Sequence, residues 1–571
     1  MQLIEELTAE SKIAYFSMEV GFRNDIPTYS GGLGVLAGDT IKSAADLNLP
    51  MVAVSLIYRK GYFRQELDEF GKQTEFPEKW NPAEHMRLLP QRIKVTIEGR
   101  EVAVQAWVYF VTSLVTQWKV PIFFLDTDVP ENSPEDRAIT DQLYGGDDRY
   151  RLKQEIVLGI GGVLMLRSLG FRIKKYHMNE GHAAFLTLEL LQRYKRDIEA
   201  VWDEREVWDV ERVKDLCVFT THTPVEAGHD RFSYELVKEV LGEPMPLEVL
   251  KELAGSGKLN MTLLAMNLSQ YMNGVAKKHS EVSKVLFPGY KIQAITNGVH
   301  TFTWVSEPFA KLYDKYLPGW ANEPELFVRI SKIPEEELWG AHMEAKRKLI
   351  DYVNETTGAG MDYETLTIGF ARRATAYKRA SLLFWDIERL RKIGKKKLQI
   401  IYAGKAHPND MDGKKNIEEI MKKARSLKGD IKIVYLQNYN MDLALKLVSG
   451  VDVWLNTPMR PREASGTSGM KAAHNGVLNF SILDGWWIEG HIEGYTGWSI
   501  GPAPTESSLS ASTDELDAED LYTKLEKEVI PAYYDNRHIW LRMMENAIGK
   551  IAYYFNSHRM MRRYVTEAYI R

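Results

Sequence analysis

The sequence predicts an α/β protein of two halves, each a parallel sheet wrapped by helices, facing one another across a central cleft. Three observations predict it. Short apolar runs of strand length recur along the chain and alternate with helical segments, the pattern of a parallel, doubly wound sheet. At 571 residues the chain exceeds one ordinary core. The runs also fall into two series, separated by the largely helical stretch from Thr301 to Met361 that carries the crossing between halves.

In the first series, Lys12 to Ser17 reads as a strand, and Ser30-Gly31-Gly32-Leu33-Gly34 opens a helix reaching about Leu47. Met51 to Tyr58 is the next strand. Arg92 to Val108 and Thr116 to Leu125 alternate in part and suggest a subsidiary sheet region. Asp126 to Gly146 is an acidic, turn-rich loop, and Arg149 to Leu169 a long helix. Strands then end in polar clusters at Asn179-Glu180-Gly181-His182, at Thr221-His222-Thr223-Pro224 and at Asn297-Gly298. The second series comprises Thr365 to Ala371, Leu398 to Ala403, Ile431 to Leu436, Val451 to Asn456 and Val477 to Ile482. Gly501 to Ala518 reads as a loose loop, and Tyr522 to Ile570 as helical and too apolar for a disordered tail.

Composition excludes several classes. Hydrophobic content of 44% and charged content of 26% are those of a soluble globular protein, and a net charge of -5 offers nothing to nucleic acid or an anionic membrane. A bound phosphate must therefore meet a local cluster of cations. Cys217 is the only cysteine, so neither an intrachain disulfide nor a cysteine zinc site can form, and its apolar run marks it as a core residue. His177 and His182 lie five apart, off the helical spacing of zinc ligands, so no metal is expected. The opening MQLIEELTAESK has no signal core, and no apolar stretch is long enough to span a bilayer; a cytoplasmic protein is expected.

Chemistry concentrates in Glu463 to Lys471, EASGTSGMK, between two apolar strands. Ligands of open α/β sheets bind beyond the carboxyl ends of strands. Gly466 and Gly469 let backbone approach a ligand, Thr467 and Ser468 can cap a helix or donate to an anion, and Lys471 projects from the first helical turn. By spacing alone that lysine is a phosphate clamp, a Schiff-base lysine or a solvated surface residue. A basic cluster, Arg372-Arg373 with Tyr377-Lys378-Arg379 on a predicted helix, is either a solvated basic helix start or an anion site, and cations at a helix start are disfavoured without an anion.

EASGTSGMK followed by Asn475-Gly476 resembles the cofactor-lysine signature of the α-glucan phosphorylases, the glycogen, starch and maltodextrin phosphorylase family, and the resemblance runs from Tyr15 into the last helix. It implies the glycosyltransferase B architecture, two Rossmann-like domains at 1–300 and 301–543, with 544–571 returning to the first. It implies pyridoxal 5′-phosphate on Lys471, with substrates α-1,4-glucan and orthophosphate yielding α-glucose 1-phosphate with retained configuration. Arg372, Arg373 and Lys378 then serve the cofactor and substrate phosphates. Backbone N–H groups of Gly31, Gly32 and Leu33 suit the same anions, and Tyr439 matches a cofactor-phosphate tyrosine. His222 and Asn297 match positions that meet glucose hydroxyls or the developing cation, and Glu463 the glutamate that accepts from the sugar. The family's usual lysine is Arg372 here, its histidine and glutamate are Thr375 and Ala376, and a common arginine is Asn440. Family members are often homodimers. The short lead before the first strand predicts an enzyme without AMP or phosphorylation control.

Two rivals remain in view. Nucleotide-sugar glucan synthases of this fold carry a second glutamate that falls at Lys471, and a lysine cannot accept the ribose hydrogen bonds that glutamate takes. An idle glucan-binding protein would have little use for Lys471, Arg373, Lys378, His222, Asn297 and Glu463 together. Trp304, Trp486 and Trp487 are candidates for stacking on glucose rings.

Overall fold

The computed structural model describes residues 7–8, 10–503 and 513–570. Most of the N-terminal lead, and residues 504–512 of the expected loose loop, lie outside the described residues. Among the described residues there are nineteen strands, numbered in chain order. The first half holds β1 (Ile13–Ser17), β2 (Met51–Leu56), β3 (Arg64–Leu67), β4 (Gln73–Phe76), β5 (Arg87–Ile97), β6 (Arg100–Thr112), β7 (Lys119–Asp126), β8 (Lys175–Asn179), β9 (Cys217–Thr220), β10 (Arg231–Phe232), β11 (Leu259–Asn260), β12 (Tyr271–Gly274) and β13 (Ile292–Ala294). The second holds β14 (Leu366–Ala371), β15 (Leu398–Ala403), β16 (Lys432–Leu436), β17 (Val453–Asn456), β18 (Leu478–Ile482) and β19 (Gly497–Ile500).

Every residue of β1, β2, β8, β14 and β17 is buried, as a strand sandwiched between helix layers requires. The first sheet runs β13-β12-β9-β8-β1-β2-β7-β6-β5, and the second β16-β15-β14-β17-β18-β19. In both, the parallel strands start in the middle, wind outward one way, then return to wind outward the other; in the first sheet the antiparallel β5 and β6 lie outside β7. The reversal falls between β1 and β8 in the first sheet and between β14 and β17 in the second, and each pair is parallel. A crevice opens beyond the carboxyl ends of strands at such a reversal. Ser17, Asn179, Ala371 and Asn456 therefore point the following loops at the cleft. Two doubly wound sheets facing a cleft are the glycosyltransferase B architecture.

One expectation needs correction. Arg92 to Val108 and Thr116 to Leu125 do not form a subsidiary sheet; they are β5, β6 and β7 on the edge of the main one. β7 pairs parallel to β2, and β6 and β5 add antiparallel beyond it. The buried run Val120–Asp126 demands a central place, and only the outermost β5 alternates toward solvent.

The halves are joined on two sides. The β3–β4 hairpin reaches over the second sheet, where Gln65 and Gln73 donate to the carbonyls of Gly404 and Ala406 at 3.0 and 2.9 Å. On the other side the crossing helix Glu335–Thr357 is locked to the second sheet by a buried network. Lys346 donates to Asp452 at 2.6 Å, and His342 meets the other Asp452 oxygen at 2.7 Å. The last helix, Ser557–Tyr564, packs on the first half against the helix Gly32–Asp46. Among the described residues no helix is long and apolar enough to cross a membrane.

Candidate active site

Two cations of the second half converge on one carboxylate. Arg372 leaves the end of β14, and its Nη2 lies 2.5 Å from Glu463 Oε2; Lys378 Nζ lies 2.7 Å from the same oxygen. Burial opposes the Glu463 charge, but Arg372 and Lys378 outweigh it and hold the carboxyl down to about 2. The Glu463 backbone N–H donates to Asp484 at 2.9 Å, and burial pushes that Asp484 carboxyl up to about 7. Gly404 and Gly485 pin the two loops. Both have positive φ, and a Cβ would sit 1.9 Å from the Arg372 carbonyl at Gly404 and 2.3 Å from that of Ser465 at Gly485. Tyr439 is half-buried beside this group: burial raises its phenol and the charge of Arg372 works against that rise.

The segment carrying Tyr377 and Lys378 is not the helix expected. A single 3₁₀ turn, Ala376–Lys378, stops at Arg379, which takes a left-handed conformation with φ 46°. Arg379 is buried and spends its guanidinium on the Thr457 and Pro458 carbonyls and on Asp514 and Asp517, and that anchorage ends the turn. The helix-dipole argument for an anion therefore lapses here, and ion pairing to Glu463 replaces it. Arg373 is exposed and, among the described residues, makes no ion pair with Glu463; its charge acts on Glu19, Tyr62 and His407.

Across the cleft, the helix Gly32–Asp46 begins at the glycine loop. Glu19 caps that loop, its Oε2 accepting from Ser30 N at 2.6 Å and Gly31 N at 3.2 Å, and Tyr144 donates to its Oε1 at 2.9 Å. Gly31 has thus given its N–H to a carboxylate. Gly32 and Leu33 keep theirs, since the first helical N–H groups have no intrahelical partner, and nothing lies within 4 Å of where a Gly32 Cβ would stand.

His222 follows β9 and is held by its neighbours on β8. Its Nε2 lies 2.6 Å from Asn179 Oδ1, while the Asn179 amide donates to Ser17 at 3.1 Å. That chain assigns the proton to Nε2 and leaves Nδ1 as the acceptor. Burial drives the ring down to about 3, so the imidazole is neutral at ordinary pH. Glu180 fixes the loop: Oε2 accepts from His222 N at 2.7 Å and from Thr223 at 2.9 Å. Its own φ of 74° with ψ 169° is a region that side chains avoid, and strain of this kind gathers at functional loops. Asn297 is buried, with its Oδ1 unpartnered.

Lys471 lies in a separate seat. The helix Ser468–His474 buries it, and its Nζ rests 4.0 Å from the centroid of the Trp304 ring. Burial lowers the amine to about 8; Asp39 pulls it up and Lys42 pushes it down again. Trp454 donates to Ser468 Oγ at 3.0 Å, which leaves the Ser468 proton free to donate, and Thr467 makes no cap bond through its side chain. Among the described residues no hydrogen bond or ion pair links Lys471 to the Arg372–Lys378–Glu463 group. Trp304, Trp486 and Trp487 are all core residues, so none is a free stacking surface. Asn440, in place of the expected arginine, caps the helix Met441–Gly450, accepting from Leu443 N at 2.9 Å.

A family profile described as carbohydrate phosphorylase matches residues 23–130 and 245–493. The chain belongs to the carbohydrate phosphorylase family. Within it, the maltodextrin phosphorylase of Thermococcus litoralis is 43% identical over 98% of this chain and 70% of its own length. The glycogen phosphorylase of Aquifex aeolicus is 36% identical over 99% of this chain and 87% of its own. An uncharacterised Methanocaldococcus jannaschii protein, 34% identical, is covered over 99% of its length by 97% of this chain. The fold also brings to these loops residues that motif reading did not single out: Glu19, Asn179, Glu180, Asp484 and Asp39. Asn179 and Glu180 stand at a strand end in the polar cluster already noted, which was their one visible signal. Glu19 and Asp39 reach their partners only through the fold.

Proposed function

We propose that this phosphorylase catalyses reversible phosphorolysis of α-1,4-glucan to α-glucose 1-phosphate with retention, using pyridoxal 5′-phosphate held by Lys471. The observation carrying the reading is the convergence of Arg372 and Lys378 on Glu463 at one mouth of the cleft, opposite the open N–H groups of Gly32 and Leu33. The group suits the residues present. Lys471 is an amine that burial lowers to about 8, beside free hydroxyl donors at Thr467 and Ser468. When bound, its 5′-phosphate supplies a proton relay to orthophosphate.

The chain's own residues do the rest. Arg372, Arg373 and Lys378 gather anionic charge that would otherwise repel, with Tyr439 and the Gly32 and Leu33 N–H groups as further donors, Gly31 being held by Glu19. Glu463 is held ionised by its two cations, so it stays an acceptor for sugar hydroxyls. Neutral His222 and the unpartnered Asn297 Oδ1 can both accept from hydroxyls at the first half's switch point. On this reading 1–300 and 301–543 are the two domains closing the cleft, and 544–571 a strap back to the first.

Borohydride reduction followed by peptide mass tests the cofactor: a phosphopyridoxyl adduct on Lys471 is expected, and none on Lys471→Ala. Phosphate-dependent release of glucose 1-phosphate from maltodextrin tests the reaction. An unmodified Lys471 with glucose transfer from a nucleotide sugar would overturn both.

A further inference from the structure

The seat of Lys471 contains a buried acid that the reaction above does not use. Asp39 lies on the inward face of the helix Gly32–Asp46 and is 1% exposed. Its two oxygens both accept from the Trp304 indole N–H, at 3.1 and 2.9 Å, and Oδ2 also accepts the His300 backbone N–H at 3.1 Å. On the ring so fixed rests the Lys471 amine, 4.0 Å from its centroid. We propose that Asp39 is a positioning residue for Lys471: it sets the Trp304 platform under the amine and provides the carboxylate charge that faces it. The inference rests on Lys471 being the cofactor lysine.

Geometry and charge agree. Core packing confines the Trp304 ring, and the two Asp39 oxygens, tied also to the His300 backbone, fix the direction of its N–H and so the tilt of its face. A desolvated cation is attracted to the face of a Trp ring, and only while the face stays beneath it. A buried carboxylate also needs opposing charge to be tolerated, and Asp39 has two lysines near it. Lys42, one turn along its own helix, is half-buried and donates to Thr303 at 3.0 Å. Lys471 is the other.

The groups facing Lys471 are few. From the helix Gly32–Asp46 come Asp39 and Lys42, with opposite effects on the amine. The crossing segment contributes His300, and the lysine's own helix His474; burial lowers both rings, so they are uncharged near neutrality. The other elements packed on that helix, Met441–Gly450 and Ala547–Ala552, keep Asp442, Lys446 and Lys550 exposed. The strand side adds Asp452, already paired with Lys346. Among the described residues Asp39 is thus the one carboxylate acting on the amine from within its seat.

The test is trace acetylation of Lys471 by acetic anhydride across neutral to alkaline pH, read by peptide mass on full-length protein before and after removal of bound pyridoxal phosphate. Before removal the wild-type lysine should be protected. Labelling there would sink the cofactor reading and leave the Asp39 test intact. After removal, Asp39→Asn should lower the labelling midpoint by about one pH unit, the scale of a neighbouring charge, and Asp39→Glu should restore part of it. Trp304→Phe, which keeps a ring but deletes the N–H, should speed release of pyridoxal phosphate by about tenfold, a loss of order one hydrogen bond. That second variant serves if Asp39→Asn does not fold. An unchanged midpoint in Asp39→Asn, or unchanged release in Trp304→Phe, overturns the proposal.

Discussion

The two sheets share one winding order and differ in what they place at its reversal. Beyond β1 and β8 stand Glu19, Asn179, Glu180 and a neutral His222, a set that is acidic or uncharged and rich in acceptors. Beyond β14 and β17 stand Arg372, Arg373, Lys378 and Lys471, four basic groups balanced only in part by Glu463. One topology thus yields two surfaces of opposite character across the cleft. On the proposed function the neutral side suits a sugar, whose hydroxyls need acceptors, and the basic side suits phosphate. The fold supplies the crevice twice, and loop chemistry divides the substrates between them.

The sharpest way to break that division is to remove cations from the basic side. Lys378→Ala should lower kcat by about 10² to 10³-fold, the cost of losing one preorganised charge contact, and should raise the requirement for phosphate more than for glucan. Steady-state kinetics in both substrates checks it. A larger effect on glucan would mean that Lys378 matters chiefly through Glu463, and the two sides would not be separate.

The neutral side predicts a smaller loss of another kind. Asn179→Ala removes the acceptor that holds His222 Nε2–H, and kcat/KM should fall by about tenfold, one buried hydrogen bond, with phosphate dependence unchanged. The sign with pH follows from the depressed value. The unfolded chain protonates His222 near its ordinary 6.5 and the folded chain only near 3. The stabilising effect of the neutral ring is complete above the first value and lost as pH falls toward the second. Activity should therefore show no limb from His222 between neutrality and pH about 5. Such a limb in wild type, absent in His222→Ala, would mean the ring is charged in the working enzyme.

A third test asks what ties the sides together. Asp46, at the end of the helix whose start is the glycine loop, accepts on Oδ2 from His300 of the crossing segment at 2.8 Å and from His558 of the last helix at 3.1 Å. Burial resists its charge, but the two histidines hold the carboxyl well below the usual range. This contribution is present above the unfolded carboxylate value near 4 and fades as pH falls further. Asp46→Ala should cost about 1 to 3 kcal/mol, read as a lower melting temperature at neutral pH and a smaller difference from wild type in acid. An equal difference at both pH values would remove the ionised carboxylate from the account.

Much of this was legible in the residues. Strand-helix alternation exposed the two parallel sheets, because buried strands must be continuous apolar runs. EASGTSGMK, SGGLG and the strand-end positions of His222 and Asn297 marked the loops that meet at the cleft. What escaped was nonlocal. Alternation in Arg92 to Val108 cannot say whether an amphipathic strand starts a new sheet or caps an old edge. The Arg372–Arg379 stretch carries helix-compatible residues, yet Arg379 is drawn into the Thr457 and Pro458 carbonyls, far along the chain, and the helix never forms. Likewise Asp39 to Trp304 and Asp46 to His558 span hundreds of residues, and no spacing rule reaches so far.

Asn440 sharpens the comparison at its finest grain, since a resemblance and a structure give it different jobs. By family position it marks a missing cation on the basic side. In the fold it is the N-cap of Met441–Gly450, with its side chain committed to Leu443 N. If the cap is its role, Asn440→Ala should cost about 1 kcal/mol of stability and leave the affinity for phosphate unchanged. Asn440→Arg should cost a similar amount through the lost cap, and gain phosphate affinity only if the new guanidinium reaches the Arg372 group. Chemical denaturation and phosphate KM separate the cases. Unchanged stability in Asn440→Ala together with weaker phosphate binding would move Asn440 from the scaffold to the site, and the basic side would then extend one loop further than its charges indicate.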